Sequence, residues 1–354
     1  MKLSIVVPLY NSENFIRPCV ESLVIQKMDS ALFEILLIDD GSEDNSLKII
    51  EELEQTHTNV HAYHKENGGT GDARNFGMDK ATGTYLYFLD IDDYLAHDTL
   101  HIILESIEQN QLDVLCFDSI KTTARDLVQT ATTLFPDHLE IMDGISYIGK
   151  KGFEFEVWHY IIRREFLVSS GIRFDSESIL EDSSFTVHLF IAAERIAKIP
   201  IDVHRYIQHP ASATYRTEKA HARRILNDLE NMAVLYGHLI EKYAEIPHQH
   251  SALFLKQLQA KKQFFVYYYV VRAYKGDISF NEVWKTLQRM KLIHAYPFKV
   301  ISYNEDKLAE KLKYIFNRKI LLFLLFRGFK PVWNLKQKVS KRLNILALIP
   351  AHNT

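Results

Sequence analysis

The sequence predicts an α/β fold, with a parallel or mixed sheet flanked by helices and then a mostly helical C-terminal region. Three observations carry this reading. Short apolar runs alternate with segments of helical periodicity through the first third of the chain. Three of those runs end in polar clusters. After Thr217 the pattern is helical to the end, with few glycines.

The elements follow in order. Leu3–Pro8 is the first apolar run, bounded by Pro8 and Asn11. Glu13–Gln26 sets Phe15, Ile16, Cys19, Val20, Leu23 and Val24 at helical spacing. Phe33–Ile38 is a second continuous strand, ending at Asp39-Asp40-Gly41-Ser42. Asp44 or Ser46 is placed to cap the next helix, which runs through Leu47, Ile50 and Leu53. Val60–His64 is a third strand, followed by a Gly-rich loop and a helix over Asp72–Lys80. Tyr85–Leu89 is a fourth strand, ending at Asp90. Fully apolar strands separated by helices imply a parallel sheet covered on both faces.

Ligands bind such sheets beyond the carboxyl ends of the strands. Tyr10-Asn11, Asp39–Ser42 and Asp90-Ile91-Asp92-Asp93 all fall there, which predicts one site. From Asp113 to about Tyr215 the pattern is mixed. Lys219–Tyr243, Ser251–Tyr274 and Asn281–Met290 read as helices, with breaks at Gly276-Asp277 and Tyr296-Pro297. The expected division is a domain over 1–215, itself divided at 110/111, and a helical region over 216–354.

The composition is that of an ordinary globular protein, 47% hydrophobic and 25% charged. A net charge of -3 gives no reason to expect nucleic acid, which calls for a basic surface. Cys19 and Cys116 read as buried free thiols, since two cysteines make neither a disulfide framework nor a zinc site. The N-terminal apolar run is too short for a signal peptide, and no stretch approaches the roughly 20 apolar residues that cross a bilayer. A cytoplasmic location is the expectation.

Asp90 and Asp92 alternate on an extended chain, so both can face one ligand. Carboxylates are hard oxygen donors suited to Mg2+ or Mn2+. An Asp-rich turn capping the helix near Asp98 is the plainer alternative for this segment, and its place beside the other two clusters weighs against that. Asp39–Ser42 reads as a strand-to-helix turn whose carboxylates can also accept from a base N–H. Gly68-Gly69-Thr70-Gly71 lacks the Gly-Lys-Ser/Thr ending of a P-loop and follows the third strand, which excludes a P-loop ATPase. Arg74 is left between two readings: a group that pairs with phosphates or orients the carboxylates, and a surface salt bridge. A dinucleotide oxidoreductase would need Gly-x-Gly-x-x-Gly where the chain has Pro8-Leu9-Tyr10-Asn11.

Four segments now stand in register: Ile5–Asn11, Leu37–Ser42, Asn67-Gly68-Gly69 with Ala73-Arg74-Asn75, and Tyr87–Asp93. Together they resemble the family 2 glycosyltransferases of GT-A fold. The resemblance is dense over about the first 100 residues and thinner through Trp158–Phe166 and Leu180–Phe185. It implies an inverting transfer of sugar from a nucleotide-sugar donor to a saccharide or lipid-linked acceptor, as in bacterial polysaccharide synthesis. The donor would lie against Pro8, Tyr10, Asn11, Asp39, Asp40, Gly69, Arg74, Asp90 and Ile91. Tyr10 would rest on the base and Asp40 would meet its N–H edge, which suggests uridine. Asp90 would hold the ribose or a metal-bound water, and Asp92 would ligate the metal. Asp182 of Glu181-Asp182 would be the general base. The family's Arg after the last strand is replaced here by His209, which puts a diphosphate contact there in doubt.

At the C-terminal end, Ile320–Phe326 is an apolar run between cations, followed by Phe329, Trp333, Lys336, Lys338, Lys341 and Arg342. Aromatic residues beside a basic stretch suit the inner face of a membrane, and a buried helix is the alternative. The competing function is a nucleotide-binding scaffold of the same fold without catalysis.

Overall fold

The computed structural model describes residues 1–132, 138–208, 219–276, 278–299 and 307–329. The chain divides into two compact units, 1–216 with 246–254 and 217–245 with 255–354. Residues 246–254 therefore group with the first unit, although the sequence assigns them to the helical region. His248 Nε2 lies 3.2 Å from Asp143 Oδ1, and His250 Nδ1 lies 3.0 Å from Ser146 Oγ, which fastens this segment.

The first unit holds a sheet of eight strands: β1 Leu3–Leu9, β2 Phe33–Asp39, β3 Val60–His64, β4 Tyr85–Phe88, β5 Tyr94–Leu95, β6 Val114–Thr122, β7 Tyr160–Arg163 and β8 Ile196–Ile207. Their order is β3-β2-β1-β4-β7-β6-β8-β5. β1, β2, β3 and β4 are parallel neighbours, in keeping with their continuous apolar runs. β7 is antiparallel to β4 and β6, and β5 is antiparallel to β8. The sheet is mixed, and it extends to Ile207, well beyond the first third of the chain.

Among the described residues, seven α-helices accompany the sheet: α1 Ile16–Val24, α2 Ser46–Thr56, α3 Thr70–Lys80, α4 Leu100–Gln109, α5 Gly144–Lys151, α6 Arg164–Ser170 and α7 Glu181–Ala192. Asn45, not Asp44 or Ser46, holds the cap position of α2, while Asp44 Oδ1 accepts from Ser46 N. Ile16, Cys19, Val20 and Leu23 of α1 are buried at helical spacing. Both cysteines are buried and free.

Gly77 of α3 sets how near that helix lies to the sheet. A Cβ there would fall 2.3 Å from Val6 Cγ1 of β1. Only a residue without a Cβ lets α3 sit so low. Gly71, Ala73, Arg74 and Met78 share its buried side.

Among the described residues, the helices of the second unit are α8 Lys219–Ala244, α9 Ser251–Lys275 from Leu255 onward, α10 Phe280–Leu292, α11 Lys307–Phe316 and α12 Lys319–Leu324. Ile225, Leu229, Met232 and Tyr236 form the buried stripe of α8, and Tyr236 meets Phe265 of α9 edge-on at 5.2 Å. Ser279 caps α10 by accepting from Glu282 N. The apolar run Ile320–Phe326 is divided. Leu322 and Phe326 are buried, with Phe326 packed on Tyr274 and Phe280, while Ile320, Phe323 and Leu324 are exposed. Among the described residues, no helix is long and apolar enough to cross a membrane.

Candidate active site

The ends of β1 and β2 are tied to each other and to the loop after β3. Pro8 is buried in β1, opposite Ile38. Asn11 takes φ 48; its N–H donates to Ser42 Oγ and its Oδ1 accepts from Glu43 N, both at 2.8 Å. Asp39 is fully buried. Its Oδ2 lies 2.7 Å from His64 Nδ1, and its carboxylate accepts from Ser42 N at 3.3 Å. Asp40 accepts from Gly68 N at 2.9 Å, Gly69 N at 2.7 Å and Lys65 Nζ at 2.7 Å. Gly69, at φ 89, then opens α3. Tyr10 is exposed beside this network.

The end of β4 is organised differently. Arg74 is buried, and its guanidinium reaches three carboxylates. Nη2 donates to Asp90 Oδ1 at 2.8 Å; Nη1 donates to Glu181 Oε1 at 2.9 Å and to Asp182 Oδ1 at 2.5 Å. The guanidinium carbon stands 5.4 Å from the centre of the Phe174 ring, which stacks on Phe185 at 3.9 Å. Burial works against the charge on Arg74, but Asp182, Asp90 and Glu181 outweigh it and hold the group protonated.

Glu181 and Asp182 open α7. Burial raises the pKa of Asp182; Arg74 opposes that rise and Asp90 adds to it. Burial also raises Glu181, with the charge of Asp182 adding and Arg74 opposing. The side chain of Asp182 is 18% exposed against 9% for Glu181, so Asp182 is the more accessible of the two.

Asp90, Asp92 and Asp93 each offer a carboxylate oxygen, all within 4.8 Å of one another. This cluster of hard donors at a strand end fits a divalent cation such as Mg2+ or Mn2+. Asp93 is turned toward β8. Its Oδ1 accepts from Ile207 N at 2.8 Å, and its Oδ2 lies 3.1 Å from His204 Nε2. Burial pushes the pKa of His204 down to about 3, so the ring is neutral.

Arg74 is therefore no surface salt bridge. The low seat of α3 on β1 buries it among acids. Asp182 lies within the sheet domain, on α7 between β7 and β8. Pattern reading passed over Phe174, Trp158 and His204. The last of these had a signal: His204 and Arg205 interrupt the apolar run of β8, and both are fully buried. His209 and the basic stretch after Phe329 lie outside the described residues.

Residues 4–178 match the model of glycosyl transferase family 2. That stretch, just under half of the chain, is similar to the family 2 glycosyltransferases. Among relatives of this chain is the uncharacterised glycosyltransferase EpsJ of Bacillus subtilis (strain 168), 32% identical over 217 residues, 60% of this chain and 62% of that protein. Another is the uncharacterised glycosyltransferase YibD of Escherichia coli (strain K12), 30% identical over 224 residues, 60% of this chain and 63% of that protein. The matched stretches thus span a little over three-fifths of these relatives' length. Among solved structures, Staphylococcus aureus TarS 1–349 superposes with a TM-score of 0.60 at 19% identity, covering 95% of this chain and 92% of that one. A mannosyltransferase from Pyrobaculum calidifontis, in complex with GDP-Man and Mn2+, gives 0.51 at 15% identity, covering 94% of this chain and 87% of that one. At these identities the structures establish the shared fold.

Proposed function

We propose that this chain is an inverting glycosyltransferase that moves a sugar from a UDP-sugar to an acceptor hydroxyl, in polysaccharide or glycoconjugate synthesis. The observation that carries this reading is the Arg74 node, which fixes Asp90 of the acidic strand end against Glu181-Asp182 of α7. A displacement at the anomeric carbon needs those two groups on opposite sides of the transferred sugar.

Asp182 takes the proton from the acceptor hydroxyl as its oxygen bonds to the anomeric carbon. The bond to the nucleoside diphosphate breaks in the same step, and no protein nucleophile is needed. Arg74 keeps Asp182 aligned and ionised. Asp90 and Asp92, with Asp93 beside them, would hold a divalent cation, which supplies positive charge for the departing diphosphate. Tyr10 offers its ring to the base. Asp40 has three hydrogen bonds from its own chain, and a carboxylate accepts about four, which leaves a position for a uracil N–H. Pro8, Asn11, Asp39, Gly69 and Ile91 would line that cleft. Solved TarS structures in complex with UDP and with UDP-GlcNAc support a uridine donor.

The deciding experiment uses Asp182→Asn, which keeps shape and removes basicity. Transfer should fall at least about a hundredfold, while UDP still binds, and more tightly than GDP. Near-normal transfer would remove Asp182 from the mechanism, and tighter GDP binding would overturn the base assignment.

A second reading concerns location. Exposed Ile320, Phe323 and Leu324 beside Arg318, Lys319 and Arg327 suit peripheral contact with an anionic membrane. The full chain should co-sediment with anionic vesicles and release when Phe323→Ser and Leu324→Ser are combined. Unchanged sedimentation of that variant would end the idea.

A further inference from the structure

β8 carries a polar column in the middle of the first unit. His204 is fully buried, and its Nδ1 lies 2.8 Å from Ser119 Oγ of β6. The Trp158 ring stacks on the imidazole at 5.3 Å and 20°, and on Tyr206 at 5.6 Å and 9°. With Ser119 on one side and the indole on its face, the imidazole has a fixed orientation. Among the described residues its Nε2 has no hydrogen-bond partner, although Asp93 Oδ2 lies only 3.1 Å away.

A buried ring N–H without a partner is costly, and such a group calls for a reason. The reason is on the other side of Asp93. That carboxylate belongs to the acidic trio at the end of β4, and its second oxygen is already held by Ile207 N of the same strand β8. Ligating carboxylates depend on outer partners for their orientation.

We propose that His204 is a positioning residue for the cation site: anchored by Ser119 and Trp158, its Nε2–H takes up Asp93 when a divalent cation draws the acidic trio together. The inference rests on the cation reading given above. In the neutral ring, Nδ1 accepts from the Ser119 hydroxyl and Nε2 carries the proton toward the carboxylate.

The test is Mn2+ binding to the full chain, measured by calorimetry without donor, beside thermal denaturation of each variant. His204→Phe keeps a ring against Trp158 and removes both nitrogens. Its Mn2+ affinity should fall by about tenfold to a hundredfold. His204→Gln, whose amide can reach Asp93, should recover most of the loss. A folded His204→Phe that binds Mn2+ like the wild type overturns the proposal, as does a Gln variant no better than Phe. If His204→Phe does not fold, Ser119→Ala takes its place. It leaves the imidazole without its anchor and should weaken Mn2+ severalfold; unchanged affinity there also overturns the proposal. Asp92→Asn separates the two layers of the argument. If it leaves Mn2+ binding intact, the cation reading itself fails. If it abolishes binding while the His204 variants do not weaken it, only the role of His204 fails.

Discussion

The ends of β1 and β2 and the end of β4 carry acids at the same edge of one sheet, but they spend them differently. At the first place the carboxylates of Asp39 and Asp40 are taken up by the chain itself, through Ser42 N, His64, Gly68 N, Gly69 N and Lys65. At the second, Asp90, Glu181 and Asp182 share a single guanidinium, and Asp92 and Asp93 crowd in beside them. The first arrangement fixes backbone and prepares a cleft. The second leaves excess negative charge half-screened from water, which costs stability and is the charge that the proposed proton transfer and cation binding would use. Acids in a motif thus divide into those whose acceptor capacity is filled by backbone N–H groups and those held by one shared cation.

The contrast breaks most sharply at Arg74. Arg74→Met keeps the length of the side chain and leaves three acids without their counter-charge. Loss of one partner from a buried ion network costs about 3–5 kcal/mol, and chemical denaturation at neutral pH should read a loss in that range. A loss below about 1 kcal/mol would make the node a surface feature after all.

Acidity tests the same region. Asp182 must be ionised to take a proton, and its pKa is raised chiefly by burial. The acid limb of transfer should therefore lie above the ordinary carboxylate value of about 4. Stability moves the other way. A group that binds its proton more tightly when folded loses stability as pH rises from the unfolded pKa through the folded one. Between those values transfer should climb while the wild type loses stability relative to Asp182→Asn. An acid limb at about 4 would assign the proton to another group.

The smallest effect belongs to the first region. Ser42→Ala removes the acceptor for Asn11 N and should cost about 0.5–1.5 kcal/mol in thermal or chemical unfolding, with transfer at saturating donor unaltered. A large fall in transfer would show that the β1 and β2 ends do chemistry as well as hold shape.

Much of this site could be read before any coordinates. Strands β1 to β4 are short apolar runs, and their polar ends lie within a few residues of them, so local pattern finds both. The partnership of Arg74 with Asp182 joins positions 108 residues apart and depends on α7 returning to the sheet between β7 and β8. Nothing in a local window encodes that. β7 is only four residues long and runs against its neighbours, so its place in the sheet comes from pairing with β4 and β6 rather than from its own pattern. His204 illustrates the same limit: its surroundings are set by Ser119 and Trp158, which approach it from another strand and a turn.

Gly77 has no functional atom, yet it governs the height at which α3 carries Arg74. An added methyl group would meet Val6 and lift the helix, and with it the cation that three acids share. A scan of single substitutions scored by turnover should therefore find one of its most sensitive positions at a residue that touches neither donor nor acceptor. For anyone re-engineering donor choice, that position marks the floor of the scaffold: side chains above it can be exchanged, but the spacing beneath them is fixed.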